Sequence, residues 1–172
     1  MVTLEATKLH LAKFWDDEYK NLSYTREPFN DPASVAAWVT QGYTGSFTGW
    51  MCDMRNTQPT WNNRFIEIFE AKGWRDVGTS YYRMDTGTVL PVHGDLYKKY
   101  VELFNLQGQE HWIYRAIVFL EDWQPGHYFE INGKAWTDWR AGDAVEWRYD
   151  TPHMAANIGL TPRYTLQITG HK

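Results

Sequence analysis

The chain has 172 residues, 43% of them hydrophobic and 22% charged, which is enough apolar material for one buried core and too much for a disordered protein. A formal net charge of −4 and the lack of any dense Lys/Arg run argue against a broad nucleic-acid surface. No 18-residue apolar run occurs, and the first twenty residues lack the basic start and continuous apolar stretch of a secretory signal, so a cytoplasmic protein with no membrane partner is expected.

Taken in chain order, a single domain over 1–172 is expected, with a helical support region over 1–78 and a β-rich core over 79–170. Asp31-Pro32 offers an N-cap and a first-turn proline, Val35, Ala36, Trp38 and Val39 give an apolar face, and Gly42 can end that helix. A second helix starts near Thr60, carries Trp61, Phe65, Ile68 and Phe69 at i, i+4, i+7 and i+8, and stops at Gly73; both helices are expected to buttress a sheet. Cys52, the lone cysteine, has no disulfide partner and no metal-finger spacing, and reads as a small packed residue.

From Thr79 onward, segments rich in Tyr, Val, Ile, Trp and Thr are broken by Gly, Pro, Asn and Asp. Strands are expected at about 79–84, 88–93, 112–120, 127–131, 134–138, 143–148, 153–158 and 163–169. Asn132-Gly133 is the strongest hairpin signal, because a type I′ turn needs two positive-φ residues. Eight such strands suggest a double-sheet jelly roll. The segment 96–110, with Leu96, Tyr100, Val101 and Phe104 on one face, reads equally as a lid hinged at Gly108 or as an ordinary helical connection. Ten tryptophans fit a rich core, while a sugar- or base-stacking surface has the same composition.

The chemistry concentrates at His93-Gly94-Asp95 and at His153, sixty positions after the first histidine (153 − 93). Two imidazoles and one carboxylate on one face of a divalent iron leave three coordination positions open, enough for a bidentate 2-oxo acid and dioxygen. Residues two apart on a strand share a face, so His93 and Asp95 can reach one ion, and His153 must come from a neighbouring strand. Ten positions on (163 − 153), Arg163 shares a strand face with Thr165, and guanidinium and hydroxyl together can clamp a carboxylate. Tyr81, Tyr82, Trp147 and Tyr149 could line a pocket, although aromatic residues in strands more often belong to the core. His10, His111, His127 and His171 have no carboxylate at comparable spacing and are assigned structural or surface roles.

Residues 79–170 resemble the Fe(II)/2-oxoglutarate-dependent dioxygenases. Arg83 through His93 is similar to the strand-turn-strand that brings the first ligand in aspartyl/asparaginyl β-hydroxylase and prolyl hydroxylase relatives, Trp139 through His153 to their second-ligand approach, and Arg163-Tyr164-Thr165 to the family's Arg-x-Ser/Thr element. The resemblance implies a double-stranded β-helix of mainly β, cupin-like class. It also implies Fe(II) on His93, Asp95 and His153, the 2-oxoglutarate C5 carboxylate on Arg163 and Thr165, and O2 as co-reactant. Arg115 matches an arginine that contacts 2-oxoglutarate in the aspartyl-hydroxylase type, and equally fits a structural arginine paired with a carboxylate. Leu90 stands where prolyl hydroxylases carry a cosubstrate-binding tyrosine, so another group must supply that hydrogen bond, and Tyr82 is counted among the cofactor-binding candidates. The implied activity is hydroxylation of an amino-acid, peptidyl or small-molecule C–H bond. A cupin-type metalloprotein that uses no 2-oxo acid, and a carbohydrate-binding sandwich, are the alternatives.

Overall fold

The computed structural model describes residues 6–172; the first five, which begin both the expected domain and the stretch read for a secretory signal, lie outside the described residues. Among the described residues, ten strands form two antiparallel sheets. One sheet has six strands in the order β1-β8-β5-β10-β3-β2: β1 (Thr7–His10), β2 (Trp50–Asp53), β3 (Arg75–Met84), β5 (Ile113–Phe119), β8 (Asp143–Arg148) and β10 (Arg163–His171). The other has four in the order β4-β9-β6-β7: β4 (Thr88–His93), β6 (His127–Ile131), β7 (Lys134–Trp136) and β9 (His153–Asn157). All eight expected strands form, and the architecture is the jelly roll expected of them. The short β1 and β2 and the start of β3 at Arg75 fall inside the region read as helical. Four residues such as Thr-Lys-Leu-His, mostly exposed, carry too little alternation to register as a strand.

Period-2 alternation sorts the large sheet into two faces. Tyr81, Ala116, Val118, Ala144, Leu166 and Ile168 face outward and pack with Trp15, Trp74 and with Phe65 and Phe69 of α2 (Asn62–Ala71). Tyr82, Met84, Ile117, Phe119, Val145 and Trp147 face inward against Phe129, Ile131 and Ala155 of the small sheet. Arg115, Arg163 and Thr165 have inward parity. They are therefore polar residues on a wall otherwise built from aromatic and aliphatic side chains.

The helices do different jobs. α2 buttresses the large sheet as expected. α1 (Pro32–Thr40), capped by Asp31, whose carboxylate accepts from the Ala33 amide, instead brings buried Trp38 to the end of β4. α3 (Lys98–Leu103) lies in the segment read as lid or connection: Tyr97, Val101, Leu106 and Ile113 make a small separate core, and the Tyr100 hydroxyl donates to the Arg75 and Asp76 carbonyls. Asn132 and Gly133 both take positive φ, 50° and 74°, as the β6–β7 hairpin requires. At Gly142, φ is +98° and a Cβ would lie 2.1 Å from the Leu11 carbonyl oxygen, so only glycine fits where the β8 approach crosses the N-terminal strand region.

Candidate metal centre

His93 ends β4 and His153 begins β9, and the two are direct cross-strand partners with ring centroids 4.4 Å apart. Their common orientation depends on an irregularity in β4. Leu90 pairs with Ala155 and His93 with His153, so three steps on β4 match two on β9. The extra residue lets Leu90 pack against the inner core and His93 face the interior as well, although they are three apart in sequence. Pro91, which has no N–H to contribute to a ladder, occupies this stretch, and exposed Val92 points away.

Each imidazole is locked by a backbone carbonyl two residues before it. His93 Nδ1 lies 2.7 Å from the Pro91 oxygen and His153 Nδ1 lies 2.9 Å from the Thr151 oxygen. A carbonyl can only accept, so both Nδ1 atoms carry the hydrogen, and both Nε2 lone pairs are left for a metal. Burial, reinforced by the neighbouring His153, pushes His93 down to about 4, so it is neutral and competent to ligate at physiological pH.

Asp95 reaches the site by a route the sequence does not suggest. It lies beyond the end of β4, so strand alternation does not aim it; Arg115 does, from β5, with Nη2 3.3 Å from Asp95 Oδ2. That same oxygen is 3.8 Å from His153 Nε2, and ligand atoms of His93, Asp95 and His153 all lie within 4.8 Å of one another. Burial alone would raise the Asp95 carboxyl, but Arg115 and the two histidines outweigh it and hold it below its ordinary value. Of the two readings left open for Arg115, this geometry has the guanidinium on the carboxylate. Its Nη1 also donates to Gln167 Oε1 at 2.9 Å, which fixes the fork from behind.

Arg163 and Thr165 are 4% and 1% exposed. Arg163 Nη1 donates to the Tyr128 carbonyl at 2.6 Å, its Nε has no partner, and among the described residues no carboxylate pairs with it. Burial pushes this guanidinium down to about 10. Tyr82 stands opposite Thr165 on β3, with its hydroxyl accepting from the Gly49 amide, and burial raises its pKa while Arg163 opposes the rise.

The remaining candidates divide. Trp147 packs on His153 at 5.1 Å and belongs to the interior. Tyr81 does not: its hydroxyl donates to Asn62 on the outer face, because it alternates with Tyr82. Tyr149 packs with Tyr97, beside α3. His127 is bound to the Thr161 carbonyl, His171 to Asp76 and His10 to Asp143, in keeping with structural roles. Three residues near the triad were not anticipated. Phe29 and Trp38 lie edge-on to His93 at 5.1 and 5.9 Å, and buried Tyr97, whose pKa is raised by burial and then by Asp95, packs its ring under Arg115. Only the place of Tyr97, two residues after Asp95, could have signalled any of them.

The residues fit a divalent ion: two imidazoles presenting Nε2 and one carboxylate kept ionised give the two-nitrogen, one-oxygen set that suits non-haem iron and its neighbours in the first transition row. No protein-family model and no curated protein sequence matches the chain. Among solved structures, a prolyl-4-hydroxylase from Pseudomonas putida is similar at TM-score 0.55 and 14% identity, over 90% of this chain and 96% of that one. A predicted oxalate decarboxylase from Thermotoga maritima has TM-score 0.49 and 14% identity over 90% and 96%, and an uncharacterised Klebsiella pneumoniae protein with a double-stranded β-helix domain has 0.39 and 14% over 56% and 68%. Similarity at this level of identity speaks to architecture alone, and with two antiparallel sheets closed face to face the chain has the cupin-type, double-stranded β-helix fold.

Proposed function

We propose that this protein is an Fe(II)- and 2-oxoglutarate-dependent dioxygenase that hydroxylates a C–H bond of an amino-acid, peptidyl or small-molecule substrate. The observation that carries the reading is Arg163: a buried guanidinium with an unpartnered Nε and, among the described residues, no carboxylate beside it, on the inner face with Thr165. A buried cation without a counter-ion is costly to a fold, and a cosubstrate carboxylate would relieve it. A cupin that binds only a metal has no use for such a group.

His93, Asp95 and His153 would hold the iron, and Arg163 with Thr165 would take the far carboxylate of 2-oxoglutarate. Together with O2 these groups supply an oxidative decarboxylation in which substrate-H, 2-oxoglutarate and O2 become substrate-OH, succinate and CO2. The chain's own part is geometric and electrostatic. The Pro91 and Thr151 carbonyls keep both histidines in the ligating tautomer, Arg115 keeps Asp95 ionised and aimed, and Arg163 fixes the acid's direction through its planar fork. Phe129, Trp147 and Ile131 exclude water from the inner wall.

Anaerobic titration of Fe(II) and 2-oxoglutarate into the purified protein tests this through the weak visible charge-transfer band of the chelate. A band in the wild type that Arg163→Ala and His153→Ala both lose is expected. Metal binding without a band removes the 2-oxoglutarate assignment and leaves a metal-binding cupin that uses no 2-oxo acid.

A further inference from the structure

A groove of about 560 Å³, lined by Arg26, Pro28, Phe29, Val35, Phe47 and Thr48 among others, shares Phe29 with the packing around His93. Its aromatic wall is continuous with a ligand: Phe47 packs on Trp38 at 5.5 Å, Trp38 on Phe29 at 4.9 Å, and both Trp38 and Phe29 on His93. Its volume suits a small molecule. Arg26 is the sole formal charge on this lining. It donates to the Ser46 hydroxyl, lies over the Trp50 ring at 6.0 Å, and has no carboxylate partner among the described residues. No lining residue is acidic, so no carboxylate on the lining would pair with an ammonium group.

We propose that this groove is the substrate site and that its substrate is an apolar monocarboxylate, an aryl or alkyl acid, with the carboxylate on Arg26 and the carbon skeleton along Phe29 toward His93. The assignment rests on the hydroxylase reading and narrows it: a single cation with no acidic partner selects a monoanion over a zwitterionic amino acid. Phe29 then serves as floor for the substrate and as a shield for the ligand edge it covers.

The test is NMR titration of the metal-free full chain with 3-phenylpropionate and with its neutral isostere 3-phenylpropionamide. Saturable shifts at the Phe29, Ser46, Phe47 and Thr48 amides are expected, with the amide about fivefold weaker, the scale of a charge-assisted contact partly open to water. Arg26→Gln should bring the two probes within about twofold of each other, and Val35→Trp should block both while preserving a dispersed spectrum. Equal affinities in the wild type, no shifts across 26–48 at millimolar probe, or shifts confined to Tyr128, Arg163 and Thr165 would each overturn the proposal. The iron and 2-oxoglutarate band, read on the same wild-type preparation, separates the two readings. A band with no groove binding removes this inference alone, and groove binding with no band removes the hydroxylase reading alone.

Discussion

Replacing Arg163 by methionine is expected to raise the melting temperature of the metal-free protein and to remove 2-oxoglutarate binding, two effects of opposite sign from one side chain. Burial lowers the guanidinium from its ordinary value to about 10, which at about 1.36 kcal/mol per pH unit corresponds to about 3 kcal/mol of unfavourable free energy in the folded state. The native state binds this proton less tightly than the unfolded chain does, so the cost is fully present below pH 10 and fades only as the pH rises above 10. Methionine follows a similar path without charge and gives up the hydrogen bond to the Tyr128 carbonyl, about 1 kcal/mol. The balance is about 2 kcal/mol of added stability, or about 4–8 °C for a chain of this length. Loss of a desolvated charge pair should weaken 2-oxoglutarate binding about 100-fold or more. Differential scanning fluorimetry with chelator present, and calorimetric titration of 2-oxoglutarate into the Fe(II)-loaded protein under argon, read the two effects. A variant that melts below the wild type would make Arg163 a structural prop, and wild-type affinity for the acid would remove the clamp.

Arg115→Met should weaken metal binding about tenfold through loss of Asp95 orientation, while leaving 2-oxoglutarate affinity at saturating metal unchanged; the reverse pattern would put Arg115 on the cosubstrate. Co(II) added at about 100 times its Kd should stabilise the wild type by about 2.7 kcal/mol, and His153→Ala should abolish that gain in a thermal melt. For metal-free protein, His93 is near 4 when folded and near 6.5 when unfolded, so the fold favours its neutral form. That contribution is complete above pH 6.5 and is lost as pH falls toward 4, about 3 kcal/mol in all; urea midpoints between those pH values should be flatter in His93→Gln. Asn157→Ala removes donations to the Met84 and Thr161 carbonyls and acceptance from the Gly159 amide at a fully buried position, and should cost about 2–4 kcal/mol. A loss below about 0.5 kcal/mol in urea melts would show that water replaces those bonds.

The jelly roll was legible because its strands obey local rules: Tyr82 and Met84 alternate with Tyr81 and Arg83, and Asn132-Gly133 can do little else than turn. The meeting of His93 and His153 was legible for the same reason, since the two bound strands that pair. Alternation alone makes Asp95 a strand-mate of His93, but the chain leaves β4 before reaching it, and Arg115, twenty positions later (115 − 95) on another strand, sets its direction. β1 and β2 were invisible for want of length. The groove was invisible for a different reason: Arg26, Phe29, Val35 and Phe47 come from loop and helix positions with no shared period, and the packing of Phe29 and Trp38 on His93 brings them together.

The extra residue in β4 ties the facing of His93 to a backbone irregularity and not to ordinary alternation. A conservative substitution at Val92 changes one exposed side chain, and its deletion would leave two steps opposite two on β9, with Leu90 and the histidine on one face by plain period-2 alternation. Straightening the bulge with every residue kept would instead turn His93 outward, with all three candidate ligands still in the sequence. Two chains of this fold could therefore differ by one gap before this histidine and present it alike, provided that the longer one keeps its bulge.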